Sequence, residues 1–437
     1  MMQPFTTARH DRLGWTRVVL FARLVAAAVV HIAEFHRSRP YRIVARAPHL
    51  PVAAPMRMGT RGCRRGKVTV MSMSENGGSR RTPGHKLIVR ALALAAAICM
   101  AATSAACGAK GADDKADDGS KLSFMLDWTP NTNHVGIYVA RHLGYFDKAG
   151  LKLTILPTAQ AGAETSVQNG VADVGFSKLS NLATFNSQGS DLRQVFNIGQ
   201  HSVARWCSLA SRTDIKTPKD FDGKTFVSFG SAEQTAVVKQ MIRYAGGKGD
   251  FKRVTSGTNT FATLTSGKGD FAGFYANWEG VESELKGPAL HCFTQADWGV
   301  PGNPDQLGFV VKNSWLQQAG HRRALTAFVK ACLKGYNYAL SHPDQAADIL
   351  VKETKGSAID PTLAKRSMES IVKEGYWVDS PDQRSITGLI NVKDAQDYLD
   401  FQFKAGTYRD AKKGDPNKAP QATDLWTDRY VREAAGK

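Results

Sequence analysis

The strongest constraint on this chain is an alternation that runs from residue 122 to residue 312 and then stops. Short runs rich in apolar and β-branched residues read as strands at 122–127, 151–156, 172–176, 194–199, 206–211, 225–229, 271–276, 290–293 and 308–312. Helical patterns fill most of the gaps, at 135–146, 163–168, 180–187, 231–245, 260–266 and 278–285. Strands that alternate with helices predict an α/β chain with largely parallel sheets. From residue 317 no strand pattern returns, and 322–341, 344–354, 361–374 and 393–405 read as helices. An α/β, α/β, helical-tail order predicts two lobes. With crossovers placed near 211–216 and 302–307, residues 121–211 and 306–437 form lobe one, the tail packs on it, and 212–305 form lobe two.

Charge separates this body from what precedes it. The 437 residues carry a formal net charge of +18, which invites a nucleic-acid partner. Yet 17 of the 57 Lys and Arg fall in 1–106 against three of the 39 acids, leaving 40 bases and 36 acids over the rest. A nearly neutral body calls for no nucleic acid. For residues 1–70 an RNA- or DNA-binding arm, an organelle transit peptide and an over-extended reading frame compete. The last is preferred, because the chain reads as a fresh N-terminus from Met71 or Met73. Arg80, Arg81, Lys86 and Arg90 precede a mostly apolar run of 15 residues at 91–105, short of a spanning helix. Ser104-Ala105-Ala106-Cys107 then resembles a bacterial lipobox, with Ser104 where Leu is usual. The expectation is a signal peptide over 71–106, acylation at Cys107 and a tether over 107–120, reaching roughly 20 Å. That places the protein, exported and lipid-anchored, at the outer face of a bacterial cytoplasmic membrane.

Beyond Cys107 the body holds Cys207, Cys292 and Cys332, far apart and without CxxC spacing. Metal and redox sites are therefore not expected. Buried free thiols are the preferred reading, and Cys207–Cys292 is the pair to expect if a bridge forms.

Ligands in open α/β folds bind beyond the carboxyl ends of strands. The stretch Leu126-Asp127-Trp128-Thr129-Pro130-Asn131-Thr132-Asn133-His134 occupies such a place, between a strand and a helix. So does Phe274-Tyr275-Ala276-Asn277-Trp278-Glu279, and so does Ser228-Phe229-Gly230-Ser231. Each residue also has a plainer role. Trp128 and Trp278 serve equally as packing, and Asn131 as a turn residue. His134 can simply start a helix, Ser231 can cap one, Asp127 can order the loop, and Glu279 suits a helix start.

The blocks DWTPNTNHVGIYVA, LGYFDKAGLKL and VQNGVADVGF together resemble the SsuA/THI-like substrate-binding proteins of ABC importers, nearest the branch that binds pyrimidine precursors of thiamine. The likeness runs over about 121–310. It includes the stretch that begins Phe274-Tyr275-Ala276-Asn277-Trp278-Glu279, and Ala296-Asp297-Trp298-Gly299-Val300-Pro301. The resemblance implies a type II periplasmic-binding-protein fold with a small molecule held between lobes. It implies a monomer that delivers this solute to a permease and its ATPase, without a cofactor. The ligand-contact set it implies is Asp127, Trp128, Asn131, Asn133, His134, Ser231, Tyr275, Asn277, Trp278, Glu279, Asp297 and Trp298. Trp128, Tyr275 and Trp298 suit stacking on a flat heteroaromatic, and Glu279 suits accepting from an exocyclic amine. Riboflavin-like flavins, sulfonates and nitrate are alternatives on the same fold. The loops offer aromatics, Asn and acids, with Arg205 the nearest base, which speaks against small anions. A pyrimidine-precursor synthase is disfavoured. Its relatives carry a cysteine-rich motif absent here, and no GxSxG, HExxH or P-loop occurs.

Overall fold

The computed structural model describes residues 119–436, apart from Gln160, Pro381, Asp382 and Arg384. The leader, Cys107 and nearly all of the tether lie outside the described residues.

The strands, in chain order, are β1 (Lys121–Met125), β2 (Lys152–Leu156), β3 (Val174–Lys178), β4 (Leu192–Asn197), β5 (Ala204–Leu209), β6 (Thr225–Ser228), β7 (Lys252–Thr255), β8 (Phe271–Tyr275), β9 (Leu290–Phe293) and β10 (Leu307–Lys312). They build two five-stranded mixed sheets, ordered β2-β1-β3-β10-β4 and β7-β6-β8-β5-β9. This is the two-lobed α/β architecture, with helices between strands and a helical C-terminal segment. In the first sheet β1 runs parallel to β2 and β3, and β10 is antiparallel to β3 and β4. The second repeats the plan, with β6 parallel to β7 and β8, and β5 antiparallel to β8 and β9. In each sheet the antiparallel strand between its neighbours is the one the chain lays down on crossing from the other lobe.

That pairing moves the first boundary. Ala204 sits opposite Tyr275 and Leu209 opposite Leu290, so β5 belongs to lobe two and the chain crosses over 198–203, not 211–216. The turn-forming residues of 211–218 that mimic a linker form a loop inside lobe two, where the Ile215 N–H donates to the Arg212 carbonyl. β7 had no sequence signal. It is a four-residue edge strand exposed along its length, so nothing selects alternating apolar residues.

Phe124, Phe176, Phe196 and Phe309 fill the first core against Phe328 and Tyr336 of helix Ala319–Ser341. That helix crosses helix Val135–His142 at a pair of glycines. A Cβ on Gly335 would lie 2.0 Å from the Gly136 carbonyl oxygen, closer than atoms can approach. The second core stacks Phe221 and Phe226 on Phe271, with ring centroids 3.9 and 5.2 Å apart. Helix Val392–Lys404 of the tail adds Tyr398 and Phe401 to this second core, so the tail touches both lobes.

The preference for free thiols fails at two of the three cysteines. The register of β5 and β9 puts Cys207 opposite Cys292, and the two form a disulfide. Cys332 is buried and free. Among the described residues no helix is long and apolar enough to cross a membrane.

Candidate functional site

Between the lobes lies a cavity of about 510 Å³, lined by the loops that leave the strand ends. Asp127, Trp128, Asn131, Asn133, Ser231, Tyr275, Trp278 and Glu279, of the residues expected from sequence, line it.

The loop after β1 is built around His134. Its Nδ1 accepts from the Asn131 backbone N–H at 3.3 Å, so Nε2 carries the proton and donates to Asp127 Oδ1 at 2.8 Å. His134 is fully buried edge-on to Phe176 and does not line the cleft. It orients Asp127. Asn131 shapes the turn and faces the cleft at once, accepting from Asn133 N at 2.9 Å and donating to the Thr129 carbonyl at 3.1 Å. Asn277 is also fully buried behind the wall, where its Nδ2 donates to Asn133 Oδ1 at 3.1 Å. This bond ties the turn after β1 to the turn after β8, one in each lobe.

Trp128 leans on Phe229 across the cleft at 5.5 Å between rings. Ser231 caps helix Ala232–Tyr244, its Oγ accepting from Gln234 N, while it lines the cavity. Glu279 follows β8 in the turn Ala276–Gly280, and its Oε2 accepts from the Tyr275 N–H at 3.1 Å. Burial pushes its carboxyl up to about 7, against the lowering pull of that N–H. It is poised to exchange a proton with a basic ligand near neutral pH. Burial also holds the Tyr275 hydroxyl well above its usual range, so it stays a neutral donor.

Asp297 and Trp298 do not reach the cleft. The turn Gln295–Trp298 leaves Asp297 exposed and packs Trp298 edge-on to Phe293, and the residue it sends inward is Gln295. Gln295 Oε1 accepts from Trp206 Nε1, and its Nε2 has no hydrogen-bond partner among the described residues.

Sequence reasoning missed the hinge-side wall: Glu164, Lys178, Glu233, Asp305 and Tyr398. Lys178 ends β3 and Glu233 lies in the first turn after β6. The strand-end rule that selected 127–134 applies equally to both. Asp305 and Tyr398 carried no local signal. Asp305 Oδ2 accepts from Ser202 Oγ and from the Val203 and Ala204 N–H groups, all within 3.0 Å, so it staples one crossover to the other. Its Oδ1 has no hydrogen-bond partner among the described residues. Five carboxylates thus line the cleft against two bases. Both bases are engaged, Lys178 by Glu233 and Arg205 by the Ser202 and Ala204 carbonyls. Among the described residues no group of three or more His, Cys, Asp or Glu is placed to hold a metal ion.

The profile of the family described as NMT1/THI5 like matches residues 131–346. The alkanesulfonate-binding protein SsuA from Xanthomonas axonopodis pv. citri, bound to MOPS, superposes with a TM-score of 0.53 at 13% identity, over 70% of this chain and 98% of its own. This chain has a two-lobed α/β fold of the type II periplasmic-binding-protein kind. A similar protein, the formylaminopyrimidine-binding protein of Halalkalibacterium halodurans, is 28% identical over 64% of this chain and 86% of its own. Another, a 4-amino-5-hydroxymethyl-2-methylpyrimidine phosphate synthase of Legionella pneumophila, is 22% identical over 53% of this chain and 73% of its own. The proteins this chain is similar to therefore include one named as a binder and one named as an enzyme.

Proposed function

We propose that this protein is the extracytoplasmic solute-binding component of an ABC importer. It captures a small amine-bearing heteroaromatic, a pyrimidine precursor of thiamine, between its lobes and delivers it to the permease. The observation that carries this reading is that one cleft, between two lobes, is lined by aromatic side chains together with a carboxyl raised to about 7: Trp128, Tyr275 and Trp278 with Glu279. Aromatic faces hold a flat ring, and a carboxylate or its acid matches an aminopyrimidine edge. The ligand named for the Halalkalibacterium relative supports this class. Five carboxylates and no unengaged base weigh against sulfonates and nitrate.

Binding rather than turnover fits the cysteines, since Cys207 and Cys292 are bonded to one another and Cys332 is buried alone. Closure of the lobes is the expected response to solute, an equilibrium biased by affinity for the closed form. The leader reading completes the proposal, with Cys107 acylated and the body held at the membrane.

Calorimetric titration of the purified protein with formylaminopyrimidine and with 4-amino-5-hydroxymethyl-2-methylpyrimidine tests the ligand. Saturable heat with one site is expected, and no heat or thermal stabilisation with either refutes the assignment. Mass spectrometry of the membrane fraction tests the anchor, where a diacylated Cys107 is expected at the mature N-terminus.

A further inference from the structure

One charged group in the cleft is already held by the protein itself, through hydrogen bonds to one carboxylate oxygen and an ion pair to the other. Glu233 is 6% exposed and lies in the first turn of the 13-residue helix Ala232–Tyr244. Its carboxylate draws donors from three other places in the chain. Lys178 Nζ lies 3.1 and 3.0 Å from its two oxygens. Ser180 Oγ donates at 3.0 Å and the Tyr398 hydroxyl at 2.7 Å. Gln402 Nε2 donates to the same tyrosine oxygen at 3.0 Å, which leaves the hydroxyl proton directed at Glu233. Burial alone would lower the Lys178 ammonium, but the Glu233 and Asp305 carboxylates outweigh it and hold the cation charged. With the carboxylate set aside, an ammonium and two hydroxyls converge on one spot of the cleft wall. That is the equipment of an anion receptor.

We propose that Glu233 is an internal anion: it fills this receptor and thereby bars acidic solutes from the cleft. Selection between basic and acidic ligands then rests on one side chain that need not touch the ligand's ring. An incoming sulfonate or carboxylate meets a Lys178 already paired with Glu233 and a fixed negative charge beside it. Since Lys178 and Ser180 belong to lobe one and Glu233 to lobe two, the same contact also ties the two lobes together. The inference rests on the proposed function only in taking this cleft as the solute site.

Acetate and ethanesulfonate probe it directly, by calorimetry and thermal melts on the wild-type protein, Glu233→Ala and Glu233→Ser. The wild type should bind neither. Both variants leave the receptor empty and should bind acetate, with melting temperatures that rise with acetate up to roughly 0.5 M, because a free anion lacks the effective concentration of a tethered one. Ethanesulfonate should compete with acetate in both. Ethanesulfonate binding in the wild-type cleft overturns the proposal. So do folded variants that ignore acetate, and so do variants that acetate fails to rescue from misfolding. A pyrimidine that does not bind the wild type refutes the proposed ligand alone, since the two anions report on the receptor independently of it.

Discussion

Replacing Glu279 by Gln separates stability from recognition. The carboxyl normally titrates near 4.5 and is raised to about 7 by burial in the cleft wall. Below pH 4.5 folded and unfolded chains both carry the proton, and burial makes no difference. Between 4.5 and about 7 only the folded chain keeps it, so stability falls through this window as pH rises. Above about 7 the loss is complete. A displacement of that size is worth about 3 kcal/mol at full effect, and water reaching the half-buried side chain trims it to about 2 kcal/mol. Gln has nearly the same volume and does not titrate. Relative to wild type, Glu279→Gln should therefore gain about 2 to 3 kcal/mol between pH 4 and pH 8. Urea unfolding of both proteins at the two pH values measures this. The same variant should bind an aminopyrimidine at least about tenfold more weakly at pH 8, because a hydrogen bond to a charged group is lost. Parallel stability curves for the two proteins would refute the claim that the fold holds this carboxyl in its acid form.

Five further variants test other parts of the structure. The Cys207–Cys292 bridge spans a sequence separation of 85, and loop-closure entropy values its removal at up to about 4.6 kcal/mol, so a double Cys→Ser variant should unfold at markedly lower urea. Gly335→Ala forces a Cβ against the Gly136 carbonyl oxygen and should cost about 1 to 3 kcal/mol in thermal melts, while Gly356→Ala, with nothing within 4 Å, should be neutral. Trp128→Ala should weaken pyrimidine binding by roughly tenfold, a lost aromatic contact, whereas Trp298→Ala, outside the cleft, should leave the affinity measured by calorimetry unchanged.

What could be read from sequence follows from the range of the forces involved. The strand and helix periods are local, and they disclosed nine of the ten strands in the described residues and the helical tail. β7 escaped because an exposed edge strand needs no apolar face. The first crossover was misplaced because turn residues look alike whether they join lobes or strands, and only the pairing of Ala204 with Tyr275 tells them apart. The cleft wall was legible where it follows β1 and β8. His134 and Asn277 were selected for the right loops, yet they stand behind the wall and hold Asp127 and Asn133. The Glu233 receptor was not legible, since Tyr398 reaches it from 165 residues away and no local pattern records that meeting.

The exchange of antiparallel strands sets an order of assembly. Lobe two has all five of its strands between Ala204 and Phe293, a single unbroken stretch. Lobe one does not. β4 pairs within the sheet only with β10, and β10 begins at Leu307, after the whole of lobe two has been made. A chain delivered N-terminus first therefore presents β3 as an open edge and β4 as an unpartnered strand until residue 312 has arrived. Open edges of that kind recruit other chains. The earlier half of lobe one must be kept from such encounters while the intervening lobe folds, and the strand that ends the exposure is supplied by the chain itself, on its way back.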